Sequence, residues 1–351
     1  MYKNALMYFM SGTGNSYRAS VWACEEAKKR GITAVSVPIE KASPENEIAG
    51  NTLLGMFLPT HGFTAPWGMI IFALRMPRSK GTHVIISASR AGWMIGPWHL
   101  PGLEGTAAVL IGLILAIKGY DIRATMGLDM PSNWLVVHWG MTKEHSQWFV
   151  ERAREKAGML VRAVLDGRKL YLGHIFTLLG ILLIPLSLGY IIVGRLLLSK
   201  VMFADFKCNS CGLCADYCPF NAIKMVGKKD AKPYWTWKCE SCERCIAYCP
   251  KKAIQGAYLY IVPLWIFLFG AAGAFLGPYS GEFAFKTGMN RELVFNVAWY
   301  AFDIAAAFLT YPAIFWLSRV PVINRIFYFT TPTAVYRRYN EPGTRVQDLK
   351  K

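Results

Sequence analysis

Short apolar runs at 5–10, 53–58, 82–87 and 122–130 stand out in the first half of the chain, separated by longer stretches of helical character. Runs of this length read as buried strands, and strands alternating with helices predict a parallel α/β sheet. A turn follows each strand: Ser11-Gly12-Thr13-Gly14-Asn15-Ser16, then Pro59-Thr60-His61-Gly62-Phe63, then Ser87-Ala88-Ser89-Arg90-Ala91-Gly92, then Pro131-Ser132-Asn133-Trp134. Ligands of open α/β sheets bind outside the carboxyl ends of the strands, so these loops are expected on one edge. Beyond Lys169 the pattern changes. Residues 172–198 are apolar apart from His174 and Arg195, 258–277 form a clean apolar run, and 293–317 are interrupted by Asn296 and Asp303. The last two can span a hydrocarbon core of ~30 Å at ~1.5 Å per residue.

Composition sharpens this picture. The 351 residues are 54% hydrophobic and only 17% charged, yet the net charge is +17. Apolar segments beside strongly basic ones point to contact with an anionic membrane face. Nucleic acid is not expected as a partner, because the basic residues are spread over every non-apolar segment without a helix-turn-helix or zinc-finger pattern. The N-terminus runs straight into the first strand with no secretory signal, so the start of the chain is expected in the cytoplasm. Nine cysteines there argue for metal or redox chemistry rather than disulfides.

The first turn opens a helix over 16–31, and a helix N-terminus is a ready anion site. No Lys follows the glycines as Walker A demands, and Tyr17 stands where a dinucleotide fingerprint has its third Gly. Ser11, Thr13 and Ser16 add side-chain donors to the backbone ones, which suits the terminal phosphate of a mononucleotide such as FMN. An ordinary capped helix with a Gly turn is the alternative.

The strongest pattern is a pair of C-x2-C-x2-C-x3-C-P runs, Cys208, Cys211, Cys214 and Cys218 followed by Pro219, then Cys239, Cys242, Cys245 and Cys249 followed by Pro250. Three thiolates at this spacing wrap one corner of a cubane while the fourth reaches the other cluster. One [4Fe-4S] cluster is therefore expected on Cys208, Cys211, Cys214 and Cys249, and a second on Cys239, Cys242, Cys245 and Cys218. Tetrahedral zinc has no use for a third cysteine at the same spacing or for the following proline. Cys24 stands alone and reads as a buried filler.

These motifs carry a resemblance. Residues 1–168 resemble flavodoxin, and 205–256 resemble a bacterial ferredoxin, including Pro-Phe-Asn-Ala-Ile and Pro-Lys-Lys-Ala-Ile after the fourth cysteines. Together they are similar to the flavodoxin–ferredoxin fusion proteins of anaerobes. The resemblance implies an α/β flavodoxin-like doubly wound parallel sheet, FMN with its phosphate in Ser11 to Ser16, and a small α+β ferredoxin-like domain. It also implies that Pro59, Thr60, His61, Gly62 and Phe63, with Ser87, Ala88, Ser89, Arg90, Ala91, Gly92 and Trp93, flank the isoalloxazine. Phe63 and Trp93 are candidates to stack on it.

The domains then read as a flavin unit (1–168), an apolar re-entrant or interfacial hairpin (169–201), a ferredoxin-like unit (202–257), two transmembrane helices (258–318) and a basic tail (319–351). One kinked transmembrane helix is the alternative for 169–201. Basic residues outnumber acids in 199–257 and in the tail but balance them in 278–292, so both soluble units and the tail are expected on the cytoplasmic side and 278–292 outside. Asp303, about ten residues or ~15 Å into its span, is a proton-relay candidate along with His174. A hydrogen bond from Asp303 to Asn296 or to a neighbouring backbone is the alternative. Trp235 and Trp237 either seat the ferredoxin unit at the headgroup level or pack in its core. The whole predicts an electron-transfer flavoprotein working between a soluble, acidic carrier such as a ferredoxin and a quinone. A non-catalytic module that wires such a carrier to a membrane partner protein is the alternative.

Overall fold

The computed structural model describes residues 2–44, 48, 50–132 and 140–350, except for the side chains of Ile95, His174, Ile175, Ala272, Asp303 and Ala307. In chain order the first unit runs β1 (Asn4–Phe9), α1 (Asn15–Lys29), β2 (Thr33–Pro38), β3 (Thr52–Pro59), α2 (Trp67–Arg75), β4 (His83–Ala91), a small hairpin of β5 (Trp93–Ile95) and β6 (Trp98–Leu100), α3 (Ala107–Ile117), β7 (Asp121–Met130), α4 (Lys143–Leu165) and β8 (Leu170–Tyr171). Six strands pair in the order β2-β1-β3-β4-β7-β8, every pair parallel. This is the doubly wound order whose direction reverses between β1 and β3, where such sheets bind their ligand. β3 and β4 are buried almost throughout because helices cover both faces. α1 and α4 close one face around Ala19, Trp22, Ala153 and Leu160, and α2 and α3 close the other around Met69, Phe72, Ile111 and Leu115. β2 escapes the apolar pattern because Thr33, Val35 and their neighbours sit on an edge strand with one side exposed.

The apolar stretch after β8 is a string of short helices: α5 (His174–Leu182), α6 (Ile184–Gly189), a π turn over Tyr190–Gly194, α7 (Arg195–Leu197) and a 3-10 turn over Leu198–Val201. It breaks at Leu183 because Pro185 sits in the first turn of α6, where its missing N–H costs nothing. The string lies on the first unit. Gly180 meets Gly105, the Ser187 hydroxyl donates to the Gly62 carbonyl at 2.9 Å, and Arg195 lies 5.1 Å from the Trp67 ring centroid.

The ferredoxin-like unit follows with β9 (Met202–Ala204), α8 (Leu213–Asp216), β10 (Ile223–Val226), β11 (Lys232–Trp235), α9 (Arg244–Ala247) and β12 (Ile254–Gly256). β9 pairs with β12 and β10 with β11, both antiparallel. Trp235 is wholly buried in its core, and Trp237 stacks on Phe308 with ring centroids 3.5 Å apart.

α10 (Tyr258–Thr287) and α11 (Arg291–Leu317) then form a long helical hairpin. The stretch 278–292, expected as a loop, is mostly helix. α10 continues through Pro278 to Thr287, supported by a Lys286–Glu282 pair at 2.6 Å and by the Ser280 hydroxyl donating to Gly277. Ile184–Val201, α10 and α11 are each long and apolar enough to cross a membrane. α12 (Pro321–Thr330) returns onto the ferredoxin-like unit, where the Asn324 amide donates to the Ala204 carbonyl at 2.9 Å. The basic tail straps the two units together. Arg338 donates to the Ile254 carbonyl at 2.7 Å, and Leu349 is buried in the core beneath α1 and α4.

Candidate cofactor sites

The carboxyl edge of the sheet gathers the expected loops. Gly14 caps α1 with φ +98°, a conformation that glycine adopts at no steric cost, and its N–H donates to Ser11 Oγ at 3.0 Å. Ser16 Oγ lies 3.1 Å from Ser89 Oγ, tying the first loop to the third. Asn15 Nδ2 donates to the Pro131 carbonyl at 3.1 Å, tying it to the fourth, whose Asn133 and Trp134 fall outside the described residues. The second loop joins through Thr60 N–H, which donates to the Ser89 carbonyl at 2.9 Å.

Among the described residues, the backbone N–H groups of Gly12, Thr13, Asn15 and Ser16 meet no acceptor. Asn15 Oδ1, Thr60 Oγ1, His61 Nδ1 and Ser87 Oγ are buried without partners. Orphaned buried polar atoms are rare in folded proteins. Their concentration on one edge, beside free N–H groups at a helix start, fits a ligand with a phosphate and a polar ring system. Burial pushes His61 down to about 4, so its ring is neutral near pH 7. Gly62 and Phe63 turn the second loop with φ +55° and +62°, and a Cβ at Gly62 would run into the Tyr190 ring.

Not every residue of these loops faces the edge freely. Arg90 is buried and donates to Asp129 at 2.7 and 3.1 Å and to Glu104, while its guanidinium lies 4.2 Å from the Phe176 ring centroid of α5. Its donors are engaged inside the protein, and burial pushes the Glu104 carboxyl above the usual range. Ala88 is buried in β4, the Phe149 ring backs Gly92, and Trp93 is 54% exposed at the start of the small hairpin. The side chains of His174 and Asp303 lie outside the described residues.

The two cysteine runs share one backbone. Ser210 and Gly212 in the first and Ser241 and Glu243 in the second all have positive φ, as do Asn221 and Lys252 after the respective prolines. Gly212 and Asn221 announce this conformation by residue type, and the other four do not. The loops bring Cys208, Cys211 and Cys249 around Cys214, and Cys218 beside Cys239 and Cys242. Backbone N–H groups of Ala222, Ser241 and Ala253 donate to the sulfurs of Cys218, Cys239 and Cys249 at 3.3 to 3.4 Å. Among the described residues no three His, Cys, Asp or Glu side chains converge as ligands of a single ion do. A cubane asks for something else, thiolates spread round a hollow, and Cys218, Cys239, Cys242 and Cys245 line one together with Cys214. Burial pushes Cys239 up to about 11 and both Cys214 and Cys242 up to about 12. Thiolates in such surroundings need a cationic partner, which cluster iron supplies.

The two sites touch. A Cβ at Gly12 would run into the Cys242 carbonyl, and Arg244, between Cys242 and Cys245, donates to the Ser11 carbonyl at 2.8 and 3.2 Å. Nothing in the spacing of the motifs signals this contact.

Comparison with known proteins bears on both units. Residues 207–253 match the family model of the 4Fe-4S dicluster domain. Solved structures similar to the first unit include an archaeal flavodoxin (12% identity, TM-score 0.31, covering 46% of this chain and 98% of that one) and a flavodoxin of Streptococcus pneumonia TIGR4 (13%, 0.31, 46% and 98%). Rubredoxin oxygen:oxidoreductase of the anaerobe Desulfovibrio gigas is also similar (15%, 0.31, 47% and 36%). No curated protein sequence matches. By its own strand order and this domain match, the chain joins a flavodoxin-like α/β unit to an iron–sulfur dicluster domain, followed by helices apolar enough for membrane spans.

Proposed function

We propose that this chain is a membrane-anchored electron-transfer flavoprotein, with FMN on the edge formed by Ser11 to Ser16, His61 and Ser89 and with two [4Fe-4S] clusters on the crossed cysteine sets. The observation that carries the reading is the contact between the loop of Cys242 and the loop of Gly12, which puts the second cysteine set against the phosphate turn. A flavin exchanges electrons singly or in pairs and a cubane one at a time, so adjacent sites convert between the two modes. The chain's own part is to hold both groups in register. The loop N–H groups aim at the phosphate, neutral His61 offers a buried ring nitrogen, and the string α5 to α7 covers the second loop.

The charge pattern supports the sidedness of this reading. Arg244 pairs with Glu40 at 2.8 Å across the two units, which supports one side of the membrane for both, and the excess of basic residues in 199–257 and in the tail supports the cytoplasmic one. The hairpin of α10 and α11 is the anchor, and the joint Gly288–Asn290 faces outside. Electrons pass between a soluble, acidic carrier and a membrane quinone, with Asp303 and His174 as proton-relay residues. The exposed Cys211 supports the second reading, a module whose first cluster meets a partner protein. The test is to purify the full chain, assay bound FMN and iron, reduce it, and follow reoxidation by a soluble quinone analogue. Fast reoxidation is expected, whereas a protein that holds both cofactors and ignores the quinone would overturn the enzyme reading in favour of the module.

A further inference from the structure

We infer that the flavin site of this chain is completed from behind by the iron–sulfur unit and the tail, with Arg244, Tyr248 and Glu341 as positioning residues for the phosphate turn. The inference rests on the FMN reading above. In a peptide unit the N–H and C=O point in opposite directions, so a turn that presents N–H groups to an anion leaves carbonyls facing away. These carbonyls need partners of their own. In this chain the partners are foreign to the first unit. Arg244 Nη2 and Nε donate to the Ser11 carbonyl at 2.8 and 3.2 Å, and the Tyr248 hydroxyl and Glu341 N–H donate to the Thr13 carbonyl at 3.1 and 2.8 Å.

Pinning the Ser11 carbonyl turns the Gly12 N–H of the same peptide toward the opposite side, where the phosphate is expected. Arg244 is itself fixed. It is buried, its Nη1 donates to Glu40 at 2.8 Å and to the Tyr217 carbonyl at 3.2 Å, and it starts the short helix between two cluster cysteines. Its position therefore depends on how the loop of Cys242 and Cys245 is wound. The glycines carry the same mark. A Cβ at Gly14 would stand 2.9 Å from both Tyr248 Oη and Glu341 Cβ, so Gly12 and Gly14 are demanded by the junction as well as by the turn. FMN retention should consequently depend on the assembled iron–sulfur unit.

The experiment titrates the purified, detergent-solubilised full chain, freed of flavin, with FMN and with riboflavin, and assays iron and the cluster spectrum alongside. Arg244→Gln is expected to weaken FMN binding about tenfold and Tyr248→Phe about threefold, each with unchanged iron and unchanged riboflavin affinity. Arg244→Lys should recover part of the loss. Unchanged FMN affinity in both Arg244→Gln and Tyr248→Phe, with clusters intact, would overturn the inference. Equal loss of FMN and riboflavin would overturn it too, because a general loosening does not act through the phosphate. Should Arg244→Gln also lose iron, Tyr248→Phe decides alone. A wild-type chain that holds its clusters and binds neither compound would instead overturn the FMN reading itself, and the inference with it.

Discussion

The stretches 172–198 and 258–317 both look like membrane spans in composition, and the fold treats them differently. The first is pinned to protein at several points: Gly180 lets the backbone approach Gly105, Ser187 and Tyr190 meet Gly62, and Arg195 pairs with Glu240 at 2.9 Å. Its outer side still bares Leu178, Ile181, Leu182, Leu186 and Ile192. The second is seated on the ferredoxin-like unit at one end, where Ile261, Trp265, Tyr311 and Ile314 join its core, and beyond that leans on itself, with Trp299 Nε1 donating to the Phe269 carbonyl at 3.0 Å and Trp265 Nε1 to Thr310 at 3.3 Å. It leaves Ile266, Phe267, Phe275 and Leu309 exposed along its length. Apolar composition states how much surface must leave water. The sparse polar and small residues state whether protein or lipid covers it.

The sharpest way to break this comparison is accessibility in intact cells. A cysteine placed at Met289, in the joint between α10 and α11, is expected to react fully with an impermeant thiol reagent from outside, and one at Lys228, in the turn between β10 and β11, not at all. Reaction at both positions would mean that the first stretch also crosses. Stability gives the next largest effect. Arg90→Ala leaves Glu104 buried without its cation and Asp129 with Lys156 alone, and removes the platform under Phe176, at a cost of about 3–5 kcal/mol in thermal unfolding of the detergent-solubilised chain. Phe267→Ala on the exposed face of α10 should stay within about 0.5 kcal/mol in the same assay. Similar losses from both variants would erase the distinction between a segment covered by protein and one left exposed.

The smallest effect concerns His61, beneath the first stretch. Its folded value of about 4 lies below the usual 6.5, so the unfolded chain takes up a proton that the folded chain refuses. The stability it permits is complete above pH 6.5 and declines as the pH falls toward 4, at up to ~1.4 kcal/mol per pH unit. His61→Gln should flatten the stability curve by about one proton in that window. An unchanged slope would mean that the ring is solvated and that the first stretch does not cover it.

The dicluster domain was legible because its pattern is local: two or three residues separate the cysteines of each run, and a proline follows the fourth. The left-handed Ser210, Ser241, Glu243 and Lys252 were not, since nothing in those side chains asks for positive φ. The first turn was legible as a Gly- and hydroxyl-rich helix start, whereas nothing near Arg90 in the sequence showed that its guanidinium is held by Asp129 and Glu104. Those acids come from elements whose approach depends on the whole sheet. The tail was legible only as basic, and its composition did not show that Arg338 bonds the Ile254 carbonyl or that Leu349 is buried.

By itself, then, the sequence determined the alternation of strands and helices, the two cysteine runs and the apolar segments, because each depends on periodicity or on residues a few positions apart. Only the tertiary structure decided that the loop of Cys242 lies against Gly12, that Arg244, Tyr248 and Glu341 hold the carbonyls of Ser11 and Thr13, and that 172–198 is laid along the first unit. Those contacts join residues far apart in the chain. Their partners are mostly backbone carbonyls, which every residue carries alike and which no side-chain pattern can distinguish.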